Sequence, residues 1–219
     1  MADNDLTLDG NIARTFSVAQ DRTEGLGLPR DFLASIMSQD DWSCVLKLQA
    51  VLDAAIEASI LDHCFAAGVS IRDRNEVALG KMVARLNFDG PVSKLAFAHS
   101  FNLLDEQTIS FVRALNRMRN AYAHRLELVS LPVLDAAKVM DQSGDLLAKL
   151  FAGFPFEADI DAIAWRLALV IKGATALWQL EVRTMDPPRW MTGPGENYYR
   201  LFGRPDDQEP KSEVDEGTA

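Results

Sequence analysis

The sequence contains few of the residues that build metal and disulfide sites. Its 219 residues include two cysteines and three histidines. Cys44 and Cys64 fall on one predicted helix, roughly 30 Å apart along its axis, so they cannot form a disulfide within it. Because His63, His99 and His124 match no zinc-binding spacing, we expect neither a metal site nor a cofactor.

Long apolar runs and an excess of positive charge are also missing. No stretch of about 18 apolar residues is present, so no membrane span is predicted. Residues 1–6 lack the basic and apolar segments of a secretory signal, and the two thiols are interpreted as reduced, which predicts a cytoplasmic protein. The formal net charge is −10 and the isoelectric point is near 4.8, which disfavours unspecific binding along nucleic acids.

Several catalytic and DNA-binding motifs are absent. The chain has no nucleophile elbow, no phosphate-binding loop of the Walker type and no dinucleotide fingerprint. Segments 72–86 and 92–101 could imitate a helix-turn-helix, but the second segment contains one lysine and no arginine. We therefore expect that this chain does not read DNA sequences by itself.

Helical periodicity dominates what is present. Hydrophobic residues make up 48% of the chain, enough for a sizeable core, and no run alternates as a strand would. The predicted fold class is all-α, an antiparallel helical bundle at residues 29–184. A flexible, mostly irregular arm is predicted at 1–28, an irregular extension at 185–203 and a disordered acidic tail at 204–219.

The predicted helices also suggest a dimer. Apolar residues recur at helical spacing in segments 30–37, 42–65, 76–86, 92–101, 106–124, 133–150 and 158–183. The segment 158–183 is apolar on nearly all sides, so something besides its own bundle is expected to cover it. A second subunit could do so, and we predict a homodimer through the basic and C-terminal helices.

One predicted helix, ending at His124, concentrates positive charge. No acidic residue lies between Glu106 and Glu127. Four arginines, one asparagine and one histidine give the segment this character, namely Arg113, Arg117, Arg119, Arg125, Asn120 and His124. Asn120 and His124 are one helical turn apart and share a face, with Arg113 and Arg117 close to it. An acidic protein that keeps such a face uncompensated requires an explanation.

The segment Arg119-Asn120-Ala-Tyr-Ala-His124 resembles the RxxxxH signature of the HEPN superfamily. The preceding residues 87–104, with Gly90-Pro91 before a short helix, resemble the mannitol operon repressor family. Together the similarity covers roughly residues 42–128. The resemblance implies a HEPN-type helical bundle and a regulatory protein that acts through protein or RNA partners.

The same resemblance implies an alternative, a metal-independent endoribonuclease of the toxin or phage-defence type. In catalytic HEPN proteins two such helices meet in a dimer. His124 would then act as acid and base, because histidine exchanges protons near neutral pH. Arg119 would bind the scissile phosphate and Asn120 would orient one of the two. Arg113, Arg117 and Arg125 would bind RNA phosphates around the site.

A structural role for these residues stays open. Arg119 could bond carbonyl groups or an acid of a neighbouring helix, and His124 could cap its own helix. Arg113 and Arg117 could be solvated or could pair with acids such as Asp53 or Glu57. The net negative charge favours this interpretation over catalysis. A binding module that kept the scaffold and lost the chemistry is a third possibility.

Overall fold

The computed structural model describes residues 8–64, 78–154 and 162–185. These residues are all-helical, with nine α-helices, one 3-10 helix and no strand, which confirms the all-α prediction for them. The elements are α1 (Leu8–Gly25), α2 (Phe32–Met37), α3 (Asp41–Cys64), α4 (Ala78–Ala84), α5 (Lys94–Ser100), α6 (Glu106–His124), η1 (Leu126–Leu128), α7 (Val133–Met140), α8 (Asp145–Phe151) and α9 (Ala162–Met185).

Helix α3 occupies the centre of the bundle. It packs against α1, α2, α4, α5, α6 and α9. Its start is capped by Asp40, whose Oδ1 accepts a hydrogen bond from the Ser43 backbone N–H at 2.8 Å. Fully buried side chains such as Val45, Leu48 and Leu52 lie along it. Because most of its surface is covered, its neighbours must each present an apolar stripe to it.

The prediction of an irregular N-terminal arm is wrong for Leu8–Gly25, which forms helix α1. This helix packs chiefly against α9. Its inward residues are Phe16, Ala19 and Thr23, the last two fully buried. They follow helical spacing, but two of the three are small or polar, so the stripe is inconspicuous in the sequence.

Helix α1 provides the cover that α9 was predicted to need. The apolar surface of α9 faces α1, α3, α2 and α6, all within one chain. Arg22 of α1 connects this helix to α3 and α9, because it donates hydrogen bonds to Ser59 Oγ at 2.7 Å and to Glu181 Oε2 at 3.2 Å. The apolar character of α9 therefore requires no second subunit, and the homodimer stays a prediction.

The segment 133–150, predicted as one helix with a kink at Gly144, is divided in two. Helix α7 ends at Met140 and α8 begins at Asp145, with Gly144 at a φ of 80°. Asp141 accepts backbone hydrogen bonds from Ser143 and from Leu146 at 3.0 Å each. A left-handed glycine and an acid that bonds forward along the chain together end the first helix and start the second.

None of the helices within the described ranges is long and apolar enough to cross a membrane. Met185, the first residue of the extension predicted at 185–203, belongs to α9. Residues 186–203 and the predicted acidic tail at 204–219 lie outside the described residues.

At Gly173, α9 lies close to Leu48 of α3. A Cβ atom at this position would lie 2.5 Å from Leu48 Cδ1. We expect Gly173→Ala to destabilise the protein, because overpacking costs about 1–3 kcal/mol and exceeds the gain of about 1 kcal/mol in helix propensity. In a Leu48→Ala background the new methyl group has room, so the same substitution should be neutral or stabilising. Urea unfolding of the four proteins measures this coupling.

A matched control separates this contact from general loss of core volume. Leu52 is also fully buried on α3, but it is not among the atoms near Gly173. In a Leu52→Ala background, Gly173→Ala should lower the free energy of unfolding by as much as it does in the wild type. If Gly173→Ala lowers the free energy of unfolding equally in the Leu48→Ala and Leu52→Ala backgrounds, Gly173 does not pack directly against Leu48.

Candidate functional site

Helix α6 is held at its N-terminus by a reciprocal pair of side chains. Asp105 caps the helix by accepting the Thr108 backbone N–H at 2.7 Å. The Gln179 amide of α9 donates to the same carboxylate at 2.7 Å, and its oxygen accepts the Asp105 backbone N–H at 3.1 Å. These hydrogen bonds outweigh the effect of burial and hold the pKa of Asp105 below its usual value.

The rotation of α6 is fixed by its apolar stripe. The buried side chains on this stripe are Thr108, Ile109, Phe111, Val112, Ala114, Leu115, Met118 and Tyr122. The Tyr122 hydroxyl donates to the Leu131 carbonyl at 3.2 Å, which secures the end of the helix. With this stripe inward, Arg113, Arg117 and Asn120 lie on the exposed side.

Arg113 forms an ion pair that the sequence did not predict. Its Nε lies 3.0 and 3.1 Å from the two carboxylate oxygens of Asp89, in the turn before α5. The suggested partners Asp53 and Glu57 instead bind Lys94. Both residues of the Arg113 pair keep solvent contact, so the pair contributes little to stability but neutralises this arginine.

Lys94 is buried and structural. Its Nζ donates to Asp53 at 2.7 Å and to Glu57 at 2.6 Å, both on α3. Burial lowers the pKa of Lys94, but the two hydrogen-bonded carboxylates outweigh burial and raise the pKa overall. The one lysine of the helix-turn-helix-like segment 92–101 therefore faces the core and not the solvent.

The C-terminal part of α6 carries the remaining positive charges. We define the basic end of α6 as Arg117, Arg119, Asn120, His124 and Arg125. All five residues are exposed. In the described parts of the chain, no carboxylate forms an ion pair with any of them. This is where the basic face predicted from the sequence is uncompensated.

A side-chain hydrogen bond connects two of the three predicted catalytic residues. Arg119 Nη1 donates to Asn120 Oδ1 at 2.9 Å. The suggestion that Arg119 bonds a carbonyl or an acid of a neighbouring helix is wrong within the described ranges. His124 is the last residue of the helix and stays exposed, without a hydrogen bond to the other two. The remaining N–H groups of Arg119 are free to bind an anion.

The charge of Arg117 acts on Asp141, in the turn between α7 and α8. The pKa of Asp141 is held below its usual value, first by the Ser143 hydroxyl and also by the charge of Arg117. Asp141 is nevertheless occupied by its hydrogen bonds to Ser143 and Leu146. It therefore forms no ion pair with Arg117, and the arginine remains available.

An exposed leucine borders the basic end, and the sequence analysis missed it. Leu126, in η1, is 86% exposed, and it follows Arg125 directly. Its partner in η1, Leu128, is fully buried, so the short helix presents one leucine to the core and one to solvent. A segment too short to show periodicity gives no sequence signal for this difference.

Neither a reactive thiol nor a group of metal-binding side chains is found among the described residues. Cys44 is buried, and desolvation raises the pKa of its thiol to about 12, which leaves it unreactive. Cys64 is also a free thiol, and its pKa is raised by burial. Where the chain is described, no three histidine, cysteine or acidic side chains come together in a way that could hold a metal ion.

Comparison of the chain with protein-family models, curated proteins and solved structures finds no match. The resemblance to the HEPN superfamily and the mannitol operon repressor family therefore stays a prediction.

Proposed function

We propose that this protein is a cytoplasmic regulatory protein, similar to the mannitol operon repressor family, that acts by binding RNA at the basic end of α6. The observation that carries the proposal is the exposure of Arg117, Arg119 and Arg125 without described acidic partners. Guanidinium groups bind phosphates bidentately, and uncompensated ones gain most from doing so. On a chain of net charge −10, such a cluster limits nucleic-acid contact to one place.

The same geometry argues against direct reading of DNA. A recognition helix must present polar side chains to the edges of the bases in the major groove. Helix α5 has seven residues, and its lysine is bound to two carboxylates in the core. Without another described helix-turn-helix pair, regulation through RNA or through a partner protein is the favoured mode of action.

A homodimer of the HEPN type belongs to this proposal. Helix α1 covers α9, so we place the contact between copies beside the basic end of α6. Leu126 supports this placement, because an apolar side chain with 86% exposure beside charged residues gains from being covered. Two basic ends would then lie near each other and form a longer phosphate-binding surface.

The second candidate function is metal-independent RNA cleavage. It is favoured by the exposure of His124 and by the hydrogen bond that orients Arg119 against Asn120. In such a reaction the 2′-hydroxyl attacks the adjacent phosphate while the bond from phosphorus to the 5′-oxygen breaks. His124 takes the proton of the 2′-hydroxyl and delivers it to the leaving 5′-oxygen, and Arg119 stabilises the charge on the phosphate. The three side chains would have to complete their arrangement when RNA or a second copy binds.

We predict that Arg117→Gln, Arg119→Gln and Arg125→Gln combined reduce affinity for single-stranded RNA. Each lost phosphate contact should lower the slope of log affinity against log salt by about 0.7, so the triple variant should lose roughly two units of slope. Fluorescence anisotropy with a labelled RNA over a range of salt concentrations measures both quantities.

The matched control removes three positive charges elsewhere. Arg14, Arg30 and Lys81 are exposed, and they lie on α1, in the turn before α2 and on α4. The combination Arg14→Gln, Arg30→Gln and Lys81→Gln should keep the slope of the wild type. Equal slopes in the two triple variants would exclude the basic end as the RNA contact.

For the second candidate, we expect the wild-type protein to cleave RNA in EDTA and leave 2′,3′-cyclic phosphate ends. His124→Ala should abolish cleavage without changing the unfolding midpoint. His99→Ala, at an exposed histidine on α5, serves as the control and should cleave normally. If micromolar wild-type protein leaves RNA intact, or if His124→Ala still cleaves, the ribonuclease candidate is ruled out.

A further inference from the structure

A second polar feature lies at the opposite end of α6, away from the basic end. A pocket of about 270 Å³ opens between the start of α6, the middle of α9 and the turn after α8. Its lining includes Thr108, Phe111, Phe154, Ile171, Lys172 and Thr175. The volume corresponds to roughly nine water molecules, so the pocket suits a small ligand. Its walls combine two aromatic rings with a few polar groups, as ligand sites commonly do.

Among the described residues that line this pocket, Lys172 is the one cation, and no carboxylate there forms an ion pair with it. Its Nζ lies 5.3 Å from the centroid of the Phe111 ring. No described residue forms a hydrogen bond or an ion pair with it. Burial lowers the pKa of Lys172, while the charge of Asp105 acts in the opposite direction. A partly buried ammonium group without an ion-pair partner is costly, and a bound anion would offset that cost.

The acid of the pocket is already occupied. Both carboxylate oxygens of Asp105 accept hydrogen bonds, one from the Thr108 backbone and one from the Gln179 amide. The Gln179 oxygen in turn accepts the Asp105 backbone N–H. Moving Asp105 toward Lys172 would uncap α6 and break its link to α9. Asp105 is therefore not available to form an ion pair with Lys172.

We infer that this pocket binds a small monocarboxylate whose apolar body lies against Phe111, Phe154 and Ile171 and whose carboxylate is held by Lys172. The carboxylate matches an ammonium group that has no ion-pair partner among the described residues, and the aromatic walls match a flat or branched apolar body. Asp105 contributes a fixed negative charge to the same pocket, so a ligand with two negative charges is disfavoured. The site is separate from the proposed RNA surface and does not depend on it.

Benzoate and its neutral isostere benzamide are suitable probes. We expect the full-length protein to bind benzoate with a Kd on the order of 1 mM, which is typical for so small a ligand, and to bind benzamide about tenfold more weakly. Protein-observed NMR titration measures both affinities. The shifted resonances should include those of Phe111 and Thr175, which line the pocket.

Three variants test the role of the ammonium group. Lys172→Met should weaken benzoate binding about tenfold and leave benzamide binding unchanged, whereas Lys172→Arg should retain benzoate binding. Lys81→Met, at an exposed lysine on α4, is the control and should bind like the wild type. Equal binding of benzoate and benzamide by the wild type, or unchanged benzoate binding by Lys172→Met, would overturn the inference.

Discussion

The fold depends on one constraint, which is that α3 must be covered on almost every side. Its buried residues extend around the helix, so neighbours have to pack against it from several directions. Helix α9 packs directly on α3 at Gly173, where a Cβ atom would meet the side chain of Leu48. Helix α6 packs on α3 through its own apolar stripe, and that contact decides which of its residues face solvent. The exposure of the basic end is thus a consequence of how the core is packed.

The sequence predicted the helical class because large apolar residues recur at helical spacing in α3, α6 and α9. It did not predict α1, because Ala19 and Thr23 bury surfaces that are too small to mark a stripe. The same error produced the argument for a dimer through α9, since the missing cover came from α1. Gly144 indicated a kink between α7 and α8 but not the full break, because the break depends on Asp141 bonding forward to Leu146.

The candidate site could be predicted in part. The sequence identified the residues of the basic end because no acid interrupts them, and their shared face follows from helix geometry. It did not reveal that Asp89 neutralises Arg113 or that Asp53 and Glu57 hold Lys94, because these partners lie far away in sequence. No sequence motif indicates the Lys172 pocket, because its lining residues come from separate elements that meet only after folding.

The central claim is that RNA contacts this protein at the basic end of α6. The most direct measurement is ultraviolet cross-linking of the wild-type protein to single-stranded RNA, followed by mass spectrometry of the cross-linked peptides. The account predicts cross-links concentrated between Arg117 and Leu128. Cross-links confined to other parts of the chain, or spread evenly over its surface, would contradict it.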